Sequence, residues 1–232
     1  MRGDYGLMHM HDGAATATGT TTERLISAAE ALFAIHGIDG VSLREINRLA
    51  GARNASALQY HFRDRDGLVR AVIAKHNRDI EARRHAILDA YEAEGRHDIR
   101  ALAGALVRPL TAKLADTDGG PQYLQIHADL MNRPRPVFDP DVDNPKASIH
   151  RWRTLVGALL DDDATRLHRR FAAIRFAAVE VARRARSGPH TDDRLFTSDL
   201  VDLVAGVLSA SLSDETRRLD AERPRRTRNS RS

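Results

Sequence analysis

The strongest constraint in this chain is the spacing of its apolar residues. Leu25, Ala28, Ala29, Leu32, Phe33 and His36 stand at i, i+3, i+4, i+7, i+8 and i+11. Leu68, Val69, Val72, Ile73, His76 and Ile80 share one helical face in the same way, as later do Leu167, Phe171, Ile174, Ala178 and Val181. Those steps put one face of a 3.6-residue helix in contact with a core. No stretch alternates apolar and polar as a half-buried strand would. The chain therefore reads as all-α.

Punctuation places the helices. Thr20 with Glu23, and Ser42 with Glu45, have the spacing of a capping box, in which each residue satisfies a backbone amide near the other. The first helix is expected near 21–36, stopped at Gly37. The second is expected near 43–50, stopped at Gly51. Asn54 is placed to cap a third, short helix through Phe62. Asp64 is placed to cap a long fourth one running past Tyr91 to Gly95. A helix then carries Ile99, Leu102, Leu106, Leu110 and Leu114, with Pro109 inside it to kink it. Leu124, His127, Leu130 and Met131 mark the next, after the break Gly119-Gly120-Pro121. RPRPVFDPDVDNP is a loop. Ile149, Trp152, Leu155, Val156 and Leu159 mark another helix. Asp161-Asp162-Asp163 suits the start of a long helix, near 163–187. The last helix is expected near 197–212, with Ala205, Gly206, Ser209 and Ala210 allowing close approach.

Composition excludes several function classes. The 232 residues contain no Cys, so disulfides, a thiolate nucleophile and cysteine-ligated metal are excluded. No apolar run approaches the roughly 20 residues of a membrane span. The N-terminus lacks the apolar centre of a signal peptide. A soluble, cytoplasmic protein is expected, with a flexible arm at 1–19. The five arginines of the final RPRRTRNSRS outweigh the chain's whole net charge of +4. The body is thus close to neutral, and residues 223–232 read as a basic disordered tail. Asp139, Asp141, Asp143 and Asn144 lack the glycine and terminal glutamate of a calcium loop. His9 and His11 lie in the arm. No metal, cofactor, phosphate loop or convergent acid–base pair is read, so no enzyme is expected.

Residues 43–62 have the lengths of a helix-turn-helix, in which the second helix lies in the DNA major groove. Small Ala55, Ser56 and Ala57 allow close approach to base edges. Gln59 can pair with adenine through two hydrogen bonds. Ser56, Tyr60 and His61 can contact phosphates, which position without reading sequence. Leu58 and Phe62 can anchor the helix to its own core. Ser42 and Arg44 start the second helix, and Arg65 starts the fourth, where amides and the helix dipole favour a phosphate. Arg53 and Asn54 complete the candidate DNA-binding set. His36 and His76, on apolar faces, read as packed side chains.

Three stretches, RLISAAEALFAIHGIDGVSLREINRLAG, SALQYHF and RDRDGLVRAVI, resemble the N-terminal domain of the TetR family of transcriptional regulators over about residues 21–73. The turn through Arg53-Asn54 is about one residue longer than the commonest family pattern. The resemblance implies a helix-turn-helix domain at 20–80. It also implies a larger helical domain at 81–222 that binds a small-molecule effector and forms a homodimer through its last two long helices. Candidate ligand-binding residues are Leu106 and Leu110 beside Pro109, with Tyr123, His127, Met131, Trp152 and Phe171 as large, adaptable side chains. A repressor released from a double-stranded operator by an effector is expected. The alternatives are an activator of the same fold, or an architectural protein of weak sequence preference, which the near-neutral body disfavours.

Overall fold

The computed structural model describes residues 20–52, 57–95, 98–133 and 144–222. Among them are eleven α-helices, one 3-10 segment and no strand. The N-terminal head comprises α1 (Thr21–His36), α2 (Leu43–Leu49), α3 (Ala57–Phe62) and the first turns of α4 (Arg65–Ala93). Both capping boxes are present, Thr20 with Glu23 and Ser42 with Glu45. Asp64 accepts from the Gly67 amide and starts α4. Leu25, Phe33, Ile46, Leu58, Leu68 and Val72 are fully buried between these helices. His36, expected on the packed face, is exposed at the end of α1. It sits where a basic side chain complements the helix dipole.

The body comprises α5 (Ile99–Thr111), a 3-10 segment (Ala112–Ala115), α6 (Gly120–Asn132), α7 (Ser148–Gly157), α8 (Asp162–Arg166), α9 (Arg169–Arg186), α10 (Arg194–Ser209) and α11 (Asp214–Glu222). Helix α4 crosses from head to body without a break, and one apolar core runs through both. Helix α9 packs most extensively on α6, and its buried face is made of Ala173, Ala177, Ala178, Val181 and Ala182, mostly small residues that allow close approach.

Four expectations are corrected. Leu114 is not in the proline-containing helix: α5 ends two residues after Pro109 and tightens into the 3-10 segment. The helix expected at 163–187 is broken, because α8 is a complete single turn with its own cap, Asp161 on the Ala164 amide. Asp162, Asp163 and Arg166 complement the two ends of that turn. His168, at φ 57°, then starts α9. The last long helix begins at Arg194, whose amide donates to Asp192, and ends at Ser209. Helix α11 was not expected at all. It buries no residue, so it has no apolar stripe to read, and Arg166 holds it through Asp220.

Head and body are joined by a buried carboxylate. Glu30 of α1 is 2% exposed. It accepts from His76 Nε2 at 2.9 Å and from Lys75 Nζ at 3.0 Å, both on α4. Its other face lies against Gly119, the left-handed residue before α6, where any β-carbon would overlap it. Lys75 also reaches Asp118 at 2.8 Å. Burial works against the Lys75 charge, but the bonds to Asp118 and Glu30 outweigh it and hold its pKa above the usual lysine value. Three segments thus meet at one group.

Breaking a buried pair by removing one partner leaves the other uncompensated, a loss of about 3–5 kcal/mol. Glu30→Ala should lower the unfolding free energy by about that amount in urea melts. Gly119→Ala should also destabilise, because both its φ of +83° and the space it occupies require glycine.

Candidate nucleic-acid interface

The turn between α2 and α3 begins with Gly51 at φ 60°, a conformation suited to glycine. Helix α3 is fixed by Leu58 and Phe62, both buried in the head. That leaves Gln59, Tyr60 and His61 exposed on its other side, with Tyr60 83% exposed. An aromatic so open to water on a short, well-anchored helix suits a contact surface rather than a core. Tyr60 and His61 meet edge to face, with ring centroids 5.1 Å apart. His61 Nδ1 lies 3.3 Å from Thr22 Oγ1, which ties α3 to the start of α1.

The structure brings two further residues to this surface, Thr21 and Arg24. Thr21 and Arg24 of α1 border a groove shared with Gly51, Ala52, Ala57, Tyr60 and His61. Arg24 donates to Thr21 Oγ1 at 3.3 Å. The N-terminus of α1 is itself occupied by Glu23, which accepts from the Thr20 amide at 2.8 Å, so Arg24 and the threonine hydroxyls are the groups on this edge that could reach a phosphate. The cue available in sequence was the threonine run before the helix, which reads equally as capping.

Two expected phosphate groups have other partners. The Ser42 hydroxyl and amide both bond Glu45, at 2.7 Å each. The Ser42 amide, then its hydroxyl, hold the Glu45 carboxyl below its ordinary pKa. The N-terminus of α2 is therefore already occupied by an anion, and Arg44 beside it is exposed and free to reach outward. Arg65 donates to the Ile38 carbonyl, which fixes the α1–α2 loop to α4. Its contribution to DNA binding would be positional. Arg53, Asn54, Ala55 and Ser56 lie outside the described residues.

Residues 25–72 match the family model described as bacterial regulatory proteins, tetR family. The N-terminal domain is a TetR-family helix-turn-helix domain. Such domains belong to DNA-binding transcriptional regulators rather than enzymes. No curated protein shows a significant match to the chain. Among the described residues no single helix is long and apolar enough to cross a membrane, and no cluster of potential metal ligands occurs.

Beneath α4 the body holds a cavity of about 70 Å³. Leu106 and Leu110 of α5, and Tyr123, His127 and Met131 of α6, line it together with Ile73, Asn77, Glu81 and Arg84 of α4. Trp152 and Phe171 lie outside it. Trp152 is fully buried, with Nε1 donating to the Leu102 carbonyl at 2.7 Å. Phe171 is 42% exposed beneath the Arg153 guanidinium. Pro109 has no amide proton to offer the Ala105 carbonyl four residues earlier. Arg84 Nε supplies that bond instead, at 3.3 Å, and so draws a buried cation to the cavity wall. His127 Nδ1 is buried without a hydrogen-bond partner among the described residues. Burial, then the positive charge of Arg84, push the His127 pKa down to about 4.

An uncharged His127 ties stability to pH. In the unfolded chain it takes up a proton near pH 6.5, but in the folded protein only near pH 4. Its contribution is complete above about pH 6.5 and is lost as pH falls toward 4. From pH 7.5 to 5 this amounts to about 2 kcal/mol. His127→Leu should remove that part of the dependence in urea melts.

On DNA, Gln59→Ala should relax preference at one base pair per half-site, at about 1–3 kcal/mol. Arg44→Ala should weaken all sequences alike. Equal weakening of every sequence by Gln59→Ala would contradict base reading by this residue.

Proposed function

We propose that the chain is a dimeric, sequence-specific repressor, released from its operator when a small molecule enters the cavity beneath α4. It would act in the compartment that holds the DNA, the cytoplasm of a bacterial cell. The observation that carries the ligand response is a continuous line of contacts from cavity to head. His127, on the cavity wall, stacks on Tyr123 with ring centroids 5.6 Å apart. Tyr123 stacks on His76 at 4.6 Å, and its hydroxyl donates to Asn77. His76 holds Glu30 of α1. A ligand that displaces His127 would press on the group that fixes the head. It shifts the equilibrium only by its unequal affinity for the DNA-bound and released states.

Two heads on a two-fold axis must stand roughly 34–36 Å apart to engage successive major grooves. Helices α9 and α10 support such a dimer. Phe171 and Val179 on α9, and Leu195 and Leu203 on α10, remain exposed along stripes of fourfold spacing. Gly206 leaves room for close approach. Paired across the axis, the two helices would bury these stripes in a four-helix contact.

Leu203→Glu should shift the species seen by light scattering from a dimer to the 25.7 kDa chain and weaken operator binding. Fluorescence anisotropy on the duplex upstream of the gene, against a shuffled duplex at near-physiological salt, tests the regulator reading. A preference of about 10³-fold or more supports it. Equal, steeply salt-dependent binding to all sequences, including genomic fragments, would replace it with an architectural role.

A further inference from the structure

Helices α9 and α10 leave two charges unanswered. On α9, Arg169 donates to the Ala210 carbonyl and Arg170 to the Arg153 carbonyl. Arg183 holds Glu180, Arg184 holds Asp193, and Arg186 reaches Gln125. On α10, Arg194 holds Asp192, and Asp202 is held by Arg100. The charged side chains of these two helices with no partner among the described residues are Arg175 on α9 and Asp199 on α10. Both are exposed.

Neither charge sits on a polar face. Arg175 stands between Phe171 and Val179, and Asp199 between Leu195 and Leu203, each at steps of four residues. All four apolar flanks are exposed. A surface that covers the flanks must also take the charge between them out of water. Burying a charge without a counter-charge is strongly unfavourable. What covers α9 must therefore offer an acid between apolar groups, and what covers α10 must offer a base. A second copy of this chain offers both.

The two stripes also match in register. Helices α9 and α10 are neighbours joined by a short connection at 187–193, and so run in opposite directions. A two-fold axis across them reverses the partner's helices, so the partner's α9 runs beside α10 in the same direction. Steps of four on one then meet steps of four on the other. Leu195 meets the partner's Phe171, Asp199 the partner's Arg175, and Leu203 the partner's Val179.

We infer that Arg175 and Asp199 pair across the dimer axis, once on each side of it, and that this pair sets the register of the interface and favours a second copy of this chain over other partners. The inference rests on the dimer proposed above. Such pairs select a partner mainly through the cost of like charges in a wrong pairing.

Exchanging the charges between two chains tests this. Arg175→Glu alone, or Asp199→Arg alone, sets like charges against each other twice in every homodimer. By sedimentation velocity each should raise the dimer Kd at least about tenfold. Mixed together, the two variants recover both pairs, because the exchanged charges meet on one side of the axis and the native ones on the other. Native mass spectrometry of the mixture, with one chain ¹⁵N-labelled, should show the heterodimer as the dominant dimer. Both substitutions on one chain should dimerise as the wild type does, which separates loss of pairing from loss of fold. A statistical mixture of the three dimers would overturn the inference. So would weakening that mixing does not reverse, since the charges would then act within one chain.

Leu203→Glu separates this inference from the dimer reading. If it dissociates the dimer while neither charge variant does, the interface stands and the register falls. If the wild type is a monomer at micromolar concentration, or none of these variants weakens its dimer, the interface falls and the register with it.

Discussion

The buried carboxylate of Glu30 is the point on which the arrangement of head and body depends. A lone carboxylate so far from water is unfavourable by many kcal/mol, so its partners are not optional. His76 and Lys75 come from α4, and the space for it comes from Gly119 ahead of α6. The observed orientation of α1 on α4 and α6 satisfies all three at once. Around this point the polar contacts continue outward. Lys113 bridges Asp79 and Asp116 at 3.0 Å each. Burial works against the charges of both aspartates, yet Lys113 holds each below its ordinary pKa. The junction is thus built from charges that exclude alternatives, where apolar packing alone would let the head settle at several angles.

That same junction lies next to the cavity. Tyr123 and Asn77 face the cavity on one side and meet each other on the other, through a 3.0 Å hydrogen bond. Pro109 helps to create the cavity's chemistry in an indirect way. By leaving the Ala105 carbonyl without its helical donor, it draws the Arg84 side chain inward. The buried Arg84 beside His127 thus bonds a carbonyl that Pro109 leaves without its helical donor, while Ser148 and Glu81 hold its other end. The consequence is a histidine that stays neutral at ordinary pH.

Local features of the structure were legible in the sequence. The starts of α1, α2 and α4 follow from Thr20 with Glu23, Ser42 with Glu45, and Asp64. Each of these caps is made by residues within three positions of one another. The helix-turn-helix was legible for the same reason, since α2 and α3 are short and lie one after the other. Long-range features were not. Nothing in the spacing of Glu30 announces a partner 46 residues away, and on the periodic face of α1 it reads as a surface acid. His76 was legible as packed but not as the partner of an acid. The break at His168 was hidden because its neighbours keep a helical apolar rhythm on either side. Helix α11 was hidden because it contacts the body through an ion pair rather than an apolar stripe. Of the candidate pocket residues, those beside Pro109 and on α6 line the cavity. Trp152 and Phe171 do not line it, because side-chain size does not reveal which way a helix faces.

Native-state hydrogen exchange on α1, compared between the wild type and Glu30→Gln, tests the central claim most directly. If the carboxylate binds head and body into one unit, the slowest amides of α1 in the wild type open with the same free energy as those of α4 and α6. In the variant the α1 amides should open at a lower free energy while those of α5 and α6 keep theirs. A wild type whose α1 already opens apart from α6, or a variant in which all helices weaken equally, would contradict the account.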